Sequence, residues 1–185
     1  GQMGNGIAQV AACAGYEVMM IDIEQSYVDR GISSIELSLS KLVSKERMSQ
    51  DDADSAFARV RTSTSKQSAS EYDLVIEAIP EIPDLKFSTF SELDGICKDD
   101  AILASNTSSI SIDEIAASTN RPDRVIGMHF MNPVPIMKLV EIINGSKTSK
   151  AVNTAVVEAA EKMGKTALSC NDSPGFVSNR ILCPM

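Results

Sequence analysis

Two residues have types and spacing suited to moving a proton: His129, the single histidine of the chain, and Glu141. His129 lies at the end of a predicted strand, where open α/β sheets place their ligands. Glu141 lies on a second predicted strand between Val140 and Ile142, and a carboxylate in an apolar strand is costly unless it is paired. If the strands pair, the carboxylate can orient the imidazole and make it a better base for taking a proton from a hydroxyl.

Both residues also have simpler explanations. A lone histidine near apolar residues is more often structural than catalytic. Glu141 would be an ordinary exposed residue if its strand lies half-solvated at the edge of a sheet. The Pro-rich turn between the two strands allows either arrangement, so spacing alone leaves these alternatives open.

A second group of residues has the spacing of a nucleotide-binding site. The chain opens on a glycine turn, which consists of Gly1, Gln2, Met3, Gly4, Asn5 and Gly6. Asp22 follows at the end of the next predicted strand. Glycines let the backbone approach a pyrophosphate, the helix N-terminus stabilises its charge, and the acid accepts bonds from the ribose hydroxyls. A carboxylate there repels a 2′-phosphate, which favours NAD over NADP, although Asp22 is also explained as a strand-end turn residue or helix cap.

The elements that must position these residues alternate between strands and helices. The predicted strands are Glu17–Ile23, Val60–Ser63, Asp73–Ile79, Ala101–Ser105, Arg124–Phe130, Lys138–Ile143 and Thr166–Ser169. The predicted helices are Gly4–Ala14, Tyr27–Lys45, Asp51–Arg59, Asp84–Ile96, Ser111–Ser118, Ser149–Met163 and Pro174–Leu182. This alternation predicts a doubly wound, Rossmann-type α/β fold with a mostly parallel sheet covered by helices. Ser111 with Glu114 predicts a capping box, and Ser173-Pro174 predicts the start of the last helix.

One expected strand has no counterpart in the sequence. A glycine turn of this kind follows a strand, yet the chain begins at Gly1. In a doubly wound sheet that first strand lies in the middle, and the segment 177–182 resembles a helix that is cut short. We therefore expect a fragment whose first strand is missing.

Composition limits the classes of partner. The formal net charge of −8 argues against nucleic acid, because binding phosphates requires a basic face. No apolar run approaches the roughly 20 residues that span a bilayer, so no membrane partner is expected. The four cysteines are Cys13, Cys97, Cys170 and Cys183. They are far apart, so we expect no metal site and reduced thiols in an intracellular protein.

Four strings of residues carry a resemblance to a known family. They are Gly1-x-Met3-Gly4-x-Gly6-Ile7-Ala8, Ala104-Ser105-Asn106-Thr107-Ser108-Ser109, His129-Phe130-x-Asn132-Pro133-x-Pro135-x-Met137-Lys138-Leu139-Val140-Glu141 and Pro174-Gly175-Phe176-Val177-x-Asn179-Arg180. Their order and spacing resemble the 3-hydroxyacyl-CoA dehydrogenase family, which includes 3-hydroxybutyryl-CoA dehydrogenases. The likeness covers essentially the whole chain, and the string from His129 to Glu141 is highly specific.

The resemblance implies an NAD-dependent enzyme of fatty-acid or butanoate metabolism that oxidises (S)-3-hydroxyacyl-CoA to 3-oxoacyl-CoA. It implies that His129 is the catalytic base and that Glu141 is the carboxylate paired with it. It also implies that Ser108 and Asn179 bind the substrate oxygen.

The resemblance further implies two sets of binding residues. The NAD contacts are Gly1, Gln2, Met3, Gly4, Asp22, Glu81, Lys86, Ser108 and Asn132, and the coenzyme A contacts are Ser38, Lys45 and Ser108. Lys45 and Lys86 are equally explained as solvated lysines, and Ser38 as a surface serine. The implied domains are an NAD-binding domain over residues 1–172 and, over 173–185, the start of a helix that leads to a missing C-terminal helical domain. That domain normally closes the active site and forms a homodimer interface.

Two other functions fit the same sequence. One is a different NAD-dependent β-hydroxyacid dehydrogenase acting on a small free acid, although such enzymes generally use a catalytic lysine and lack the string from His129 to Glu141. The other is a non-catalytic, crystallin-like relative that keeps the nucleotide-binding fold. Neither the acyl-chain length nor the choice among cytoplasm, mitochondrion and peroxisome follows from the sequence.

Overall fold

The strands of the protein form two sheets, which lie in two separate units of the chain. The structure, a computed structural model, describes residues 1–182. One unit contains Gly1–Ser68 together with Asn132–Met137, and the other contains Ala69–Met131 and the chain from Lys138 onward. The sequence did not predict this division. The predicted limit of the NAD-binding domain at residue 172 stays a prediction.

The first unit is built on a two-stranded parallel sheet. Its elements are α1 (Gln2–Cys13), β1 (Val18–Ile21), α2 (Gln25–Ser44), α3 (Gln50–Ala58) and β2 (Val60–Ser63). β1 and β2 pair in register from Val18 opposite Val60 to Ile21 opposite Ser63. The core of the unit is apolar and joins the three helices to the sheet through Ala8, Met20, Ile35, Leu39 and Ala53.

The second unit is built on a five-stranded sheet. Its elements are β3 (Leu74–Glu77), α4 (Pro83–Ile96), β4 (Ile102–Ser105), α5 (Ile112–Ala117), β5 (Val125–Phe130), β6 (Leu139–Asn144), α6 (Lys150–Lys162), β7 (Thr166–Asn171) and α7 (Ser178–Leu182). The strand order is β3-β4-β5-β6-β7, and every pair is parallel except β5 with β6. All six residues of β5 are buried, as expected for a strand covered on both faces. The predicted α/β fold with a mostly parallel sheet is confirmed.

Local signals account for most of the element boundaries. Ser111 Oγ accepts a hydrogen bond from the backbone N–H of Glu114 at the start of α5, so the predicted cap is confirmed. Ser49 caps α3 in the same way, and Asp51 and Asp52 in its first turn suit the positive end of the helix dipole. Each predicted strand is present, and β2 has the predicted bounds.

Three predicted helix starts are wrong by two residues or more. α2 begins at Gln25 and not at Tyr27. α1 begins at Gln2 and not at Gly4, because the N–H of Asn5 donates to the carbonyl of Gly1 and closes a helical turn there. α7 begins at Ser178 and not at Pro174. Gly175 and Phe176 have φ angles of +75° and +49°, which a right-handed helix does not admit. Residues 174–177 form a turn instead.

Candidate active site

The predicted contact between His129 and Glu141 is confirmed. The two residues lie directly opposite each other in the antiparallel pair β5–β6, and Nδ1 of His129 lies 2.9 Å from Oε2 of Glu141. Glu141 has no solvent exposure, since β6 lies between β5 and β7. The alternative of an exposed glutamate on an edge strand is therefore wrong.

The carboxylate of Glu141 receives further hydrogen bonds from the backbone. The N–H groups of Val177 and Ser178 donate to Oε1 at 3.0 and 2.8 Å. Burial acts to raise the pKa of Glu141, and hydrogen bonds from Ser178, His129 and Val177 outweigh it, so the pKa is lowered. Glu141 is therefore ionised at neutral pH, and the proton in its contact with the imidazole belongs to Nδ1 of His129.

The second ring nitrogen of His129 faces a hydroxyl group. Nε2 lies 3.1 Å from Oγ of Ser108. With the proton on Nδ1, Nε2 has a free lone pair, so the Ser108 hydroxyl donates to it. Phe176 packs on the ring edge-on, with the ring centroids 5.9 Å apart. The imidazole is thus held on both nitrogens and by its edge.

Asn179 lies in α7 beside the same loop as Ser108. Its side-chain amide donates to the backbone carbonyl of Ser108 at 2.9 Å. Asn179 is half-buried. The structure therefore brings His129, Glu141, Ser108 and Asn179 together.

Glu81 holds the loop that carries Ser108. One carboxylate oxygen, Oε1, accepts from Oγ1 of Thr107 at 2.5 Å, from the N–H of Ser108 at 2.8 Å, and from the N–H and Oγ of Ser109 at 3.0 Å each. Burial raises the pKa of Glu81, and these bonds together with Lys86 outweigh that effect and lower it. A negative charge at Glu81 thus organises the loop.

Lys86 is not a solvated lysine, because its side chain is only 1% exposed. Its ammonium lies 2.7 Å from Oε1 of Glu77 and 3.3 Å from Oε2 of Glu81. Glu77 is a buried carboxylate at the end of β3 that the sequence did not point to. The only available signal was a charged residue at the end of an apolar strand.

The glycine turn and Asp22 lie together in the other unit. Oδ2 of Asp22 accepts a hydrogen bond from the amino nitrogen of Gly1 at 3.0 Å, and Oδ1 accepts from the N–H of Ile23. The first N–H groups of a helix have no partner within it, and Gly1, as the cap of α1, supplies no side chain to them. The start of α1 therefore offers open donors to a phosphate, which is the fit that a dinucleotide requires.

Of the remaining predicted residues of this unit, Asn132 and Ser38 lie near the glycine turn, and Lys45 does not. Asn132 faces the glycine turn, with its Oδ1 3.5 Å from Nε2 of Gln2. Ser38 lines a cavity of about 150 Å³ with Asn132 and Pro133. An added Cβ at Gly6 would lie 2.8 Å from Val134, so this glycine allows α1 to approach the Pro-rich turn. Lys45 is exposed just after α2, and the structure does not bring it to this cavity.

Two expected absences concern metals and membranes. Among residues 1–182, no group of three or more His, Cys, Asp or Glu side chains is arranged to hold a metal ion. None of the helices in the described part of the chain combines the length and apolar character that a membrane crossing needs. Cys13, Cys97 and Cys170 are free thiols, and Cys183 lies outside the described residues.

Comparisons with known proteins agree with this geometry. The family model described as 3-hydroxyacyl-CoA dehydrogenase, NAD binding domain, matches residues 1–173. The chain is 44% identical to a 3-hydroxybutyryl-CoA dehydrogenase of Clostridioides difficile, over all of this chain and 66% of that protein. It is 41% identical to a fatty acid oxidation complex subunit alpha of a Psychrobacter species, over all of this chain and 26% of that protein.

A solved structure gives the same result. The crystal structure of (S)-3-hydroxybutyryl-CoA dehydrogenase from Ralstonia eutropha matches with a TM-score of 0.98 and 49% identity, covering all of this chain and 65% of that one. The chain thus spans about two thirds of the length of these two 3-hydroxybutyryl-CoA dehydrogenases. Since the family model covers nearly every residue, the chain belongs to the family of 3-hydroxyacyl-CoA dehydrogenase NAD-binding domains.

Proposed function

We propose that the protein takes part in the NAD-dependent oxidation of (S)-3-hydroxyacyl-CoA to 3-oxoacyl-CoA, with His129 as the base and Glu141 as its partner. The observation that carries this proposal is the buried contact of 2.9 Å between Nδ1 of His129 and Oε2 of Glu141. The relatives that the chain matches are named 3-hydroxybutyryl-CoA dehydrogenase and fatty acid oxidation complex subunit alpha. These names support a place in fatty-acid or butanoate metabolism.

The chemistry follows from the protonation states of the pair. Glu141 carries a negative charge and fixes the proton of His129 on Nδ1, so Nε2 is free to accept a proton from a substrate hydroxyl. When Nε2 gains that proton, the imidazole becomes positively charged. Glu141 then stabilises the imidazolium at short range, as the third member of a catalytic triad does.

Ser108 and Asn179 are proposed to hold the substrate oxygen. The Ser108 hydroxyl lies 3.1 Å from Nε2 of His129, so an oxygen bonded to this hydroxyl would lie near the base. The Asn179 amide contacts the same loop, where it donates to the carbonyl of Ser108. When a substrate is bound, the single hydroxyl proton of Ser108 would turn from Nε2 to the substrate oxygen and leave the lone pair of Nε2 for the proton of the alcohol. The amide proton of Asn179 that does not bond Ser108 can donate to the same oxygen.

The cofactor of this domain family is NAD, which supplies the hydride acceptor when it is bound. We propose that the residues holding it are Gly1, Gln2, Met3, Gly4, Asp22, Ser108 and Asn132, with Glu81 as a further predicted contact. The N–H groups at the start of α1 suit the pyrophosphate. The carboxylate of Asp22 suits the ribose hydroxyls and disfavours a 2′-phosphate.

The substrate is proposed to be an acyl-CoA that contacts Ser38, Lys45 and Ser108. The position of Ser38 supports the proposed coenzyme A contact most directly, because Ser38 lines a cavity together with Asn132 and Pro133. An exposed ammonium such as that of Lys45 suits a phosphate of coenzyme A. A homodimer and an intracellular location also remain proposals, the latter supported by the free thiols of Cys13, Cys97 and Cys170.

The direct test is an assay of NADH consumption with acetoacetyl-CoA. The assay uses the chain alone and a chimera in which the chain replaces the matching 66% of the Clostridioides difficile relative. We expect the chimera to consume NADH and to prefer it over NADPH. A chimera that binds NADH without turnover would contradict the proposed activity and favour the non-catalytic, nucleotide-binding alternative. A chimera that reduces only a small free keto acid would favour the other β-hydroxyacid dehydrogenase.

A further inference from the structure

Glu77 is the centre of a buried polar network in the second unit. Its Oε1 accepts from Nζ of Lys86 at 2.7 Å and from the N–H of Ile79 at 2.6 Å. Its Oε2 accepts from the Ser105 hydroxyl at 2.6 Å. Both partners of the ion pair are 1% exposed at their side chains. A buried carboxylate this fully bonded is fixed in position, since moving it would leave several donors unsatisfied.

Lys86 extends the network to Glu81. Its ammonium donates to Glu77 and to the carbonyl of Ile79 at 3.3 Å, and it lies 3.3 Å from Oε2 of Glu81. Two of the three protons of the ammonium are used in these hydrogen bonds, and the carboxylate of Glu81 lies within ion-pair distance of it. The resemblance predicts Lys86 as a contact of the cofactor, but the geometry directs its ammonium to groups of the protein itself.

Two chains of hydrogen bonds and ion pairs connect Glu77 to the loop of Ser108. One runs through Lys86 to Glu81, which accepts from the N–H groups of Ser108 and Ser109. The other runs through Ser105, whose Oγ accepts from the N–H of Thr107 at 3.2 Å. Both routes end on the residues flanking the hydroxyl that faces His129.

We propose that Glu77 and Lys86 are positioning residues that lock the loop 105–109 and so place the Ser108 hydroxyl against His129, with Lys86 acting on the loop through Glu81. The importance of Ser108 for turnover rests on the proposed function. The locking of the loop does not rest on it, so the two can fail separately.

The first test measures amide hydrogen exchange by NMR in the 185-residue chain. In Lys86→Met we expect the amides of Ser108 and Ser109 to exchange about tenfold faster, as the loss of a modest hydrogen bond implies. The matched control is Lys98→Met, which removes an ammonium from an exposed ion pair with Asp73. The control should leave both amides unchanged.

A double variant separates positioning from general stability. Each single variant, Glu77→Gln or Lys86→Met, leaves a buried charge without its partner, whereas the double variant leaves none. We expect the double variant to regain much of the thermal midpoint while Ser108 and Ser109 still exchange fast. If their protection returned together with the midpoint, the pair would be merely structural and the proposal would be overturned. If a single variant does not fold, the thermal midpoint and the amide exchange of the double variant are compared directly with those of wild type. This comparison then tests the proposal.

The second test measures steady-state kinetics in the chimera. We expect Lys86→Met to lower kcat about tenfold and to change KM for NAD less than about threefold, since a misplaced hydroxyl affects the chemical step. A raised KM with kcat intact would show a direct contact with the cofactor and overturn the proposal. A chimera without any turnover would contradict the proposed function, and the exchange experiment would still decide whether the loop is locked.

Discussion

The carboxylates of Glu141 and Asp22, one in each unit, have different surroundings. Glu141 in the second unit has no solvent exposure, and the protein supplies three hydrogen bonds to it. Asp22 in the first unit follows the short strand β1 with a side chain that is 23% exposed. Among residues 1–182 its carboxylate accepts from the N-terminal amino group of Gly1 and from the N–H of Ile23. This difference fits the proposed roles, in which Glu141 orients another side chain and Asp22 meets a ligand.

This contrast predicts that the largest effect on activity comes from the buried pair. In the chimera, His129→Gln should lower kcat by about 10²–10⁴-fold, the usual contribution of a general base. NAD affinity should barely change, because the cofactor contacts proposed for the adenosine half belong to the first unit. Steady-state kinetics and calorimetric titration with NAD measure the two effects. A variant that kept most of its rate would make His129 a structural residue.

The contrast also predicts a difference in stability. Glu141→Gln replaces an acceptor of two backbone N–H groups and one imidazole with a neutral amide. We expect it to lower the free energy of unfolding by about 1–3 kcal/mol, because buried donors lose their partner. The matched control, Asp22→Asn, should lower it by less than Glu141→Gln does, because the half-buried Asp22 can exchange its partners for water. Urea denaturation measures both, and equal losses would remove the contrast.

For NAD affinity we expect the opposite ranking, with a larger loss from a change at Asp22 than from one at Glu141. Asp22→Ala should weaken NAD binding by about 1–3 kcal/mol through loss of a charged hydrogen-bonding group, and it should have little effect on NADP. Glu141→Gln should leave NAD binding unchanged. Calorimetric titration of both variants with both cofactors checks this. If Asp22→Ala weakened NAD and NADP equally, the ribose role of Asp22 would be wrong.

The smallest expected effect is on the acid dependence of stability. The folded pKa of Glu141 lies below its ordinary value of 4.5, so its contribution is fully present above that value and is lost as pH falls through the folded pKa. The unfolding free energy should therefore decrease below about pH 4.5, and less steeply in Glu141→Gln than in wild type. Urea titrations at several pH values measure the slope. An unchanged slope would mean that the carboxylate is not held ionised.

Local patterns in the sequence indicated the pairing of His129 with Glu141 but did not decide it. His129 and Glu141 lie on two apolar runs joined by a short Pro-rich turn, which limits how the strands can meet. The same holds for the glycine turn with Asp22, because both lie in one helix-and-strand unit. These contacts depend on neighbouring elements, so periodicity and turn chemistry make them possible. The register of β5 with β6, which the sequence left open, decides that His129 meets Glu141.

No local sequence pattern predicts the network of hydrogen bonds around Glu77. Its partner Ser105 lies on β4, and only the parallel pairing of β3 with β4 brings it next to Glu77.

The hydrogen bonds from Val177 and Ser178 to Glu141 could not be predicted either. Their donors are backbone N–H groups, which every residue except proline has, so residue type does not mark them. The turn that presents them requires a positive φ at Phe176, which is uncommon for a residue other than glycine.

The central claim is that His129 and Glu141 act as one unit, and a double-mutant cycle on kcat tests it most directly. The variants are His129→Gln, Glu141→Gln and the double variant in the chimera, assayed with acetoacetyl-CoA and NADH. Residues that act as a unit are non-additive, so we predict that the double variant is little slower than the slower single variant. Losses in kcat that multiply across the two sites would contradict the account and place the chemistry elsewhere.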